Sequence, residues 1–149
     1  MNKILITGAS GLIGTRLTEM LIQQGHMVSH LSRTKKTDKV NSFVWDVDRG
    51  IIDEQALKDA DTVIHLAGAT VADHRWTKKR KKEILESRTK STALLARYLE
   101  KNQNIKTVVC ASAIGYYGFR LDDTEFTEES KPGNDFLASV VKAWEGEMD

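Results

Sequence analysis

The sequence predicts an α/β protein, a doubly wound parallel sheet between two layers of helices. An apolar β-prone run, Ile4 to Ile6, meets glycines at 8, 11 and 14, and apolar residues at helical spacing follow (Leu12, Ile13, Leu17, Met20, Leu21). A second strand comes within about thirty residues, as a βαβ unit requires. Two later apolar runs, 62–68 and 105–112, alternate with helical stretches. Nearly continuous apolar runs of this kind belong to strands buried on both faces.

The chain has 149 residues, enough for one domain with a real core. Hydrophobic residues are 40% and charged residues 29%, the balance of a soluble globular protein. With 22 basic and 21 acidic side chains the net charge is +1, so bulk electrostatics give no argument for nucleic acid. The single cysteine, Cys110, has no internal disulfide partner, which suits a reducing, cytoplasmic compartment. No signal-peptide pattern and no membrane-length apolar run is present.

The opening turn is the first chemical signal. Gly8 accepts backbone angles that a Cβ forbids, Gly11 lets a phosphate approach the main chain, and Gly14 lets the helix pack close to the strand. The N–H groups of the first helical turn converge on a mildly positive place that suits a pyrophosphate. The candidate cofactor-binding residues here are Gly8, Ser10, Gly11, Leu12, Ile13 and Gly14.

Gly25 and His26 stop the first helix, and 27–31 is a second strand. An acidic residue just past it would select NAD, by accepting hydrogen bonds from the ribose hydroxyls. Ser32 stands there instead, followed by Arg33, Lys35 and Lys36, a set that suits a 2′-phosphate and predicts NADP(H). The plain alternative is a solvated basic loop.

A short third strand, 43–45, ends in Asp46, which either accepts the adenine amino group or closes a strand-end turn with Asp48 and Gly50. A helix is expected over 53–59, with Ala56 and Leu57 inward. The fourth strand, 62–68, ends in Leu66, Ala67 and Gly68, small enough at its end to admit a ribose or nicotinamide. His65 reads as a packed histidine, and no metal-ligand spacing joins the histidines to Cys110, so no metal is expected.

The basic run from His74 to Lys82 reads as the water-facing start of a helix capped by Thr77, in preference to a nucleic-acid segment. That helix continues through Ile84, Leu85, Thr92, Leu94, Leu95 and Leu99, with Ser87 and Arg88 turned toward the cofactor. The fifth strand, 105–112, brings Ser112 to its carboxyl end, where ligands sit in open parallel sheets. Ser112 and Tyr116 are the candidate catalytic groups, although Tyr116 reads equally well as a ring packed on a Gly-Tyr turn. A last helix, 135–148, carries Phe136, Val140 and Trp144 on one face.

Residues 7–14 (TGASGLIG), 65–68 (HLAG) and 111–118 (ASAIGYYG) resemble the cofactor-turn, fourth-strand and fifth-strand motifs of the extended short-chain dehydrogenase/reductases. Ser32-Arg33, Trp45-Asp46, 72–76 (ADHRW), 127–130 (TEES) and Phe136 through Trp144-Glu145 narrow the resemblance to the branch called epimerase family proteins. It implies a Rossmann fold binding NADP(H), a small-molecule substrate such as a sugar nucleotide, and an oxidoreductase or epimerase-like reaction.

The chain departs from that family in three ways. The family pairs Tyr-x-x-x-Lys on the helix after the fifth strand, where this chain has Phe136 and Val140. The family's catalytic serine falls on Ala113, one residue after Ser112. Members also continue past this point into a substrate domain. Residues 1–149 are therefore expected to be an incomplete NADP-binding domain ending inside a helix, with an exposed last strand that favours a homodimer. A non-catalytic NADP(H) sensor or scaffold is the alternative that the missing pair favours.

Overall fold

The protein is seen here as a computed structural model that describes residues 1–35 and 40–148. Its elements run β1 (Lys3–Thr7), α1 (Leu12–Gln23), β2 (Met27–Ser32), β3 (Asn41–Asp46), β4 (Ile51–Ile52), α2 (Gln55–Lys58), β5 (Thr62–His65), α3 (Lys78–Leu99), β6 (Thr107–Cys110) and α4 (Phe136–Glu145). The six strands lie in the order β4-β3-β2-β1-β5-β6. All neighbours are parallel except β3 and β4, so the order reverses around β1 as in a doubly wound sheet.

The period-two and period-3.6 patterns sort side chains into two cores. Leu5, Leu31, Trp45 and Val63 point to one face of the sheet, where Leu94 and Leu95 of α3 and Ala56 and Leu57 of α2 cover them. Ile4 and Ile6 point to the other, under Leu17 and Leu21 of α1. Together they give three layers. Gly25, at φ +82°, turns the chain out of α1, as its place in the sequence predicts.

Two expectations need correction. The sheet has a sixth strand, because Ile51–Ile52 folds back antiparallel on Trp45 and Asp46; the strands expected as fourth and fifth are thus β5 and β6. Two residues carry no periodicity, and only their partners make them a strand. The helix expected over 53–59 is one turn, Gln55–Lys58, although Ala56 and Leu57 are buried as expected. The acidic groups at 53 and 59 flank it instead, with the Asp53 carboxylate accepting the Gln55 N–H at 3.1 Å. Lys36 lies outside the described residues.

Candidate functional site at the carboxyl edge of the sheet

The five parallel strands end side by side at Asp46, Ser32, Thr7, His65 and Cys110, and the glycine turn leaves from the middle of that row. Gly8 sits at φ +69°, and a Cβ there would lie 2.8 Å from the Ala67 nitrogen and the Leu66 carbonyl. A Cβ on Gly14 would lie 2.5 Å from the Gly8 oxygen and 2.6 Å from the Ala9 Cα. Both glycines are therefore required by the fold itself. Gly11 is different: a Cβ there meets only the Gly8 oxygen, at 3.4 Å, so the open space beside it is free for something else.

The helix that starts here is also left open. Gly11 is the N-cap of α1, no side chain caps it, and its first turn holds no acidic residue. The other long helices are closed from within: Thr77 accepts the Arg80 N–H at the start of α3, and Asp135 accepts the Ala138 N–H at the start of α4. Uncapped N–H groups and the positive end of the dipole at α1 suit an anion. Leu12 and Ile13 flank this opening with side chains 91% and 68% exposed, and Ser10 is exposed beside them.

Thr7 ties the glycine turn to the end of β5. Its hydroxyl oxygen accepts the N–H groups of Leu66 and Ala67, both at 3.2 Å, and lies 2.6 Å from Nδ1 of His65. His65 Nε2 lies 3.0 Å from the Thr92 hydroxyl of α3. The imidazole is wholly buried, and that burial pushes its pKa down to about 4, so it is neutral. This is the packed histidine expected from sequence. The sequence does not link Thr7 or Thr92 to His65, because they stand 58 and 27 residues away from it.

The segment after β5 is fixed by α3. The Ser87 hydroxyl accepts the Ala69 N–H at 3.0 Å, and Arg88 donates to the Ala69 carbonyl at 3.0 Å while lying against Gly68. Burial lowers the pKa of the Arg88 guanidinium. Ser87 and Arg88 thus support the Leu66–Gly68 wall from behind. Most of the basic run on α3 faces water as expected, but Arg80 turns inward to Asp73, Glu83 and the Thr70 carbonyl.

Ser32 and Arg33 follow directly on the β2 end. The Ser32 hydroxyl donates to the Thr34 carbonyl at 2.6 Å, closing the turn, and Arg33 is exposed. Asp46 accepts the Arg49 N–H at 3.0 Å and faces the Arg49 guanidinium at 3.5 Å, so it serves the strand-end turn. Beyond β6, the Ser112 hydroxyl donates to Glu145 of α4 at 2.5 Å, beside a cavity of about 310 Å³ that reaches Cys110 and Trp144. Tyr116 lies on a 3-10 turn, Ile114–Tyr117, with its ring edge-on to Tyr117 at 5.3 Å. Phe136, which opens α4, is held between the Trp76 ring at 5.5 Å and the Lys81 ammonium at 5.0 Å. The structure therefore gathers the glycine turn and residues 66–68 into one wall and sets Ser112 and Tyr116 further along the edge. Among the described residues no cluster of three or more potential metal ligands is present.

The sequence pattern of the NAD dependent epimerase/dehydratase family matches residues 4–141. The chain belongs to that family. What it presents is the family's NAD(P)-binding domain with a Rossmann-type sheet. It is 40% identical over 148 residues to the epimerase family protein YfhF of Bacillus subtilis, covering 97% of this chain and 48% of that protein. The crystal structure of human epimerase family protein SDR39U1 with NADPH superposes with a TM-score of 0.83 at 31% identity, over 99% of this chain and 48% of that one. The structure of MoeE5 with UDP-glucose and NAD gives 0.80 at 25% identity, over 98% and 48%. This chain thus spans about half the length of the curated relatives it matches.

Proposed function

We propose that this chain binds NADP(H) along the carboxyl edge of its sheet and forms the cofactor half of an oxidoreductase or sugar-nucleotide-epimerase-like enzyme. The observation that carries the proposal is the division of labour among the three glycines. Gly8 and Gly14 are packed against backbone, whereas Gly11 and the uncapped start of α1 face open space. In this reading the turn from Gly8 through Ser10, Leu12 and Ile13 holds the pyrophosphate, and Leu66, Ala67, Gly68 and Ser112 line the nicotinamide side. Asp46 borders the adenine end. Preference for NADP(H) is supported by Ser32 and the exposed Arg33, with no acidic residue at either place, and by the human relative crystallised with NADPH.

A bound nicotinamide would supply a hydride donor or acceptor. The chain would supply the proton path, with Ser112 holding a proton against Glu145 and Tyr116, on the 3-10 turn that follows, as the second candidate hydroxyl. The substrate would be a small polyhydroxylated molecule such as a sugar nucleotide, the class bound by MoeE5. Cytoplasmic residence belongs to the same reading, supported by the lone Cys110.

Calorimetric titration with NADPH and with NADH tests the proposal. Clear preference for NADPH is expected, and Arg33→Ala should weaken NADPH binding roughly 10- to 100-fold while leaving NADH nearly unchanged, since one charge-assisted contact is worth about 1.5–3 kcal/mol. Equal losses for the two would refute the assignment of Arg33.

A second reading, cofactor binding without catalysis, is favoured by Phe136 and Val140 where the Tyr-x-x-x-Lys pair is expected. Stereospecific oxidation of a sugar nucleotide by the protein would remove it.

A further inference from the structure

We infer that His65 is a positioning residue for the cofactor wall, locked as the Nε2–H tautomer so that its Nδ1 orients the Thr7 hydroxyl toward accepting the Leu66 and Ala67 N–H groups. The inference rests on the NADP(H) reading above. It follows from counting donors. A hydroxyl oxygen has two lone pairs and one proton. Thr7 Oγ1 accepts the Ala67 N–H at 3.2 Å and shares the Leu66 N–H, also at 3.2 Å, with the Thr7 carbonyl, so both N–H groups point at its lone pairs. Its proton therefore goes to His65 Nδ1, at 2.6 Å, and that nitrogen must be bare.

The far side of the ring agrees. A neutral imidazole with a bare Nδ1 carries its proton on Nε2, which faces the Thr92 hydroxyl at 3.0 Å and the Ser91 hydroxyl at 3.4 Å. Ser91 already gives its own proton to the Ser87 carbonyl at 2.7 Å, so it can only accept from the ring. Ser91 thus calls for the tautomer that Thr7 calls for, and the Thr92 hydroxyl can accept from it. The Trp45 ring stands edge-on at 6.1 Å, and Thr7, His65, Ser91 and Thr92 are all buried, so water cannot substitute for a lost partner.

The consequence reaches the ligand side because Leu66 and Ala67 are the atoms against which Gly8 is packed, at 2.8 Å for a notional Cβ. A Thr7 hydroxyl turned the other way would release the Ala67 N–H and loosen that contact. His65 touches no ligand in this arrangement; it acts through Thr7.

Two replacements separate the two ring nitrogens. Asn places an oxygen near the Nδ1 position and can accept from Thr7, whereas Gln reaches the Nε2 position and can donate to Thr92 only. Titrated with NADPH, His65→Asn should stay within about threefold of the unaltered chain and His65→Gln should lose roughly tenfold, the worth of one net hydrogen bond. Equal loss in both, or the reverse order, would overturn the inference. Long-range nitrogen–proton NMR on the unaltered chain reads the tautomer directly, whether or not the variants fold: a protonated Nε2 is expected, and a protonated Nδ1 would overturn it. If the unaltered chain binds no NADPH, the cofactor reading fails and amide exchange decides the positioning. Faster exchange at Ala67 in His65→Gln than in His65→Asn supports it, and equal rates overturn it.

Discussion

Gly11 and Gly14 are three residues apart and look alike in the sequence, yet they answer to different constraints. A methyl on Gly14 would press on backbone atoms at 2.5 and 2.6 Å that cannot swing away. Gly14→Ala should therefore cost about 1–3 kcal/mol of folding stability in a denaturant titration, the usual range for overpacking. Gly11→Ala should cost less stability than Gly14→Ala, the loss of a favoured N-cap residue only, and weaken NADPH binding, because its Cβ meets one oxygen at 3.4 Å and otherwise fills the ligand's space. His65 makes a residue-scale prediction of its own. Its folded pKa of about 4 lies below the ordinary imidazole value of 6.5, so the unfolded chain takes up a proton first on acidification. Stability is full above about pH 6.5, falls as the pH drops toward 4, and loses about 3 kcal/mol over that window. A valine or leucine at 65 should flatten this dependence in pH-resolved unfolding curves.

Helix α4 shows how an element is held at its start by what it touches. Asp135 accepts the Ala138 N–H with one oxygen at 2.9 Å and the Phe119 N–H with the other at 2.8 Å, so a single carboxylate caps the helix and closes the preceding loop. Those N–H groups, Ala138 foremost, hold its pKa below the ordinary 3.8. Asp135→Ala should destabilise the protein at neutral pH through the lost cap. The difference should shrink as the pH falls below 3.8 and the carboxylate is protonated, which thermal unfolding at two pH values would show.

Elements such as α1, α3 and β5 were legible in the sequence because caps and periodicity are local: Thr77, Gly25 and the apolar runs announce themselves. Ile51–Ile52 was not, since only pairing with Trp45 and Asp46 makes it a strand. The site divides the same way. The glycine turn could be read from spacing, whereas Glu145 meets Ser112 across 33 residues with no pattern to link them. The inward turn of Arg80 was equally hidden, because Asp73 and Glu83 reverse what a run of lysines and arginines suggests.

At the scale of the whole molecule, the strand order leaves β6 at one edge with the uncharged sequence Thr-Val-Val-Cys, and Val109 is 50% exposed. An uncharged open edge favours pairing between copies. Sedimentation should show association that rises with concentration, and Val109→Lys should reduce it without loss of helical signal. The opposite edge carries the short β4, which limits pairing there. Helices on both faces and an edge of strand ends facing one way concentrate the glycine wall, Ser32, Arg33 and Ser112 along a single line.

The missing cap on α1 has an energetic meaning for the fold as well as for the ligand. A helix whose first amides have no internal partner frays from that end, so Leu12, Ile13 and Gly14 should exchange their amide protons with solvent faster than the start of α3 or α4. An anion seated there would complete the helix. Ligand would then act as a structural part supplied from solution, raising stability by about 2.7 kcal/mol at a hundred times its dissociation constant. In a cell, the lifetime of this domain would rise and fall with the concentration of the nucleotide it binds.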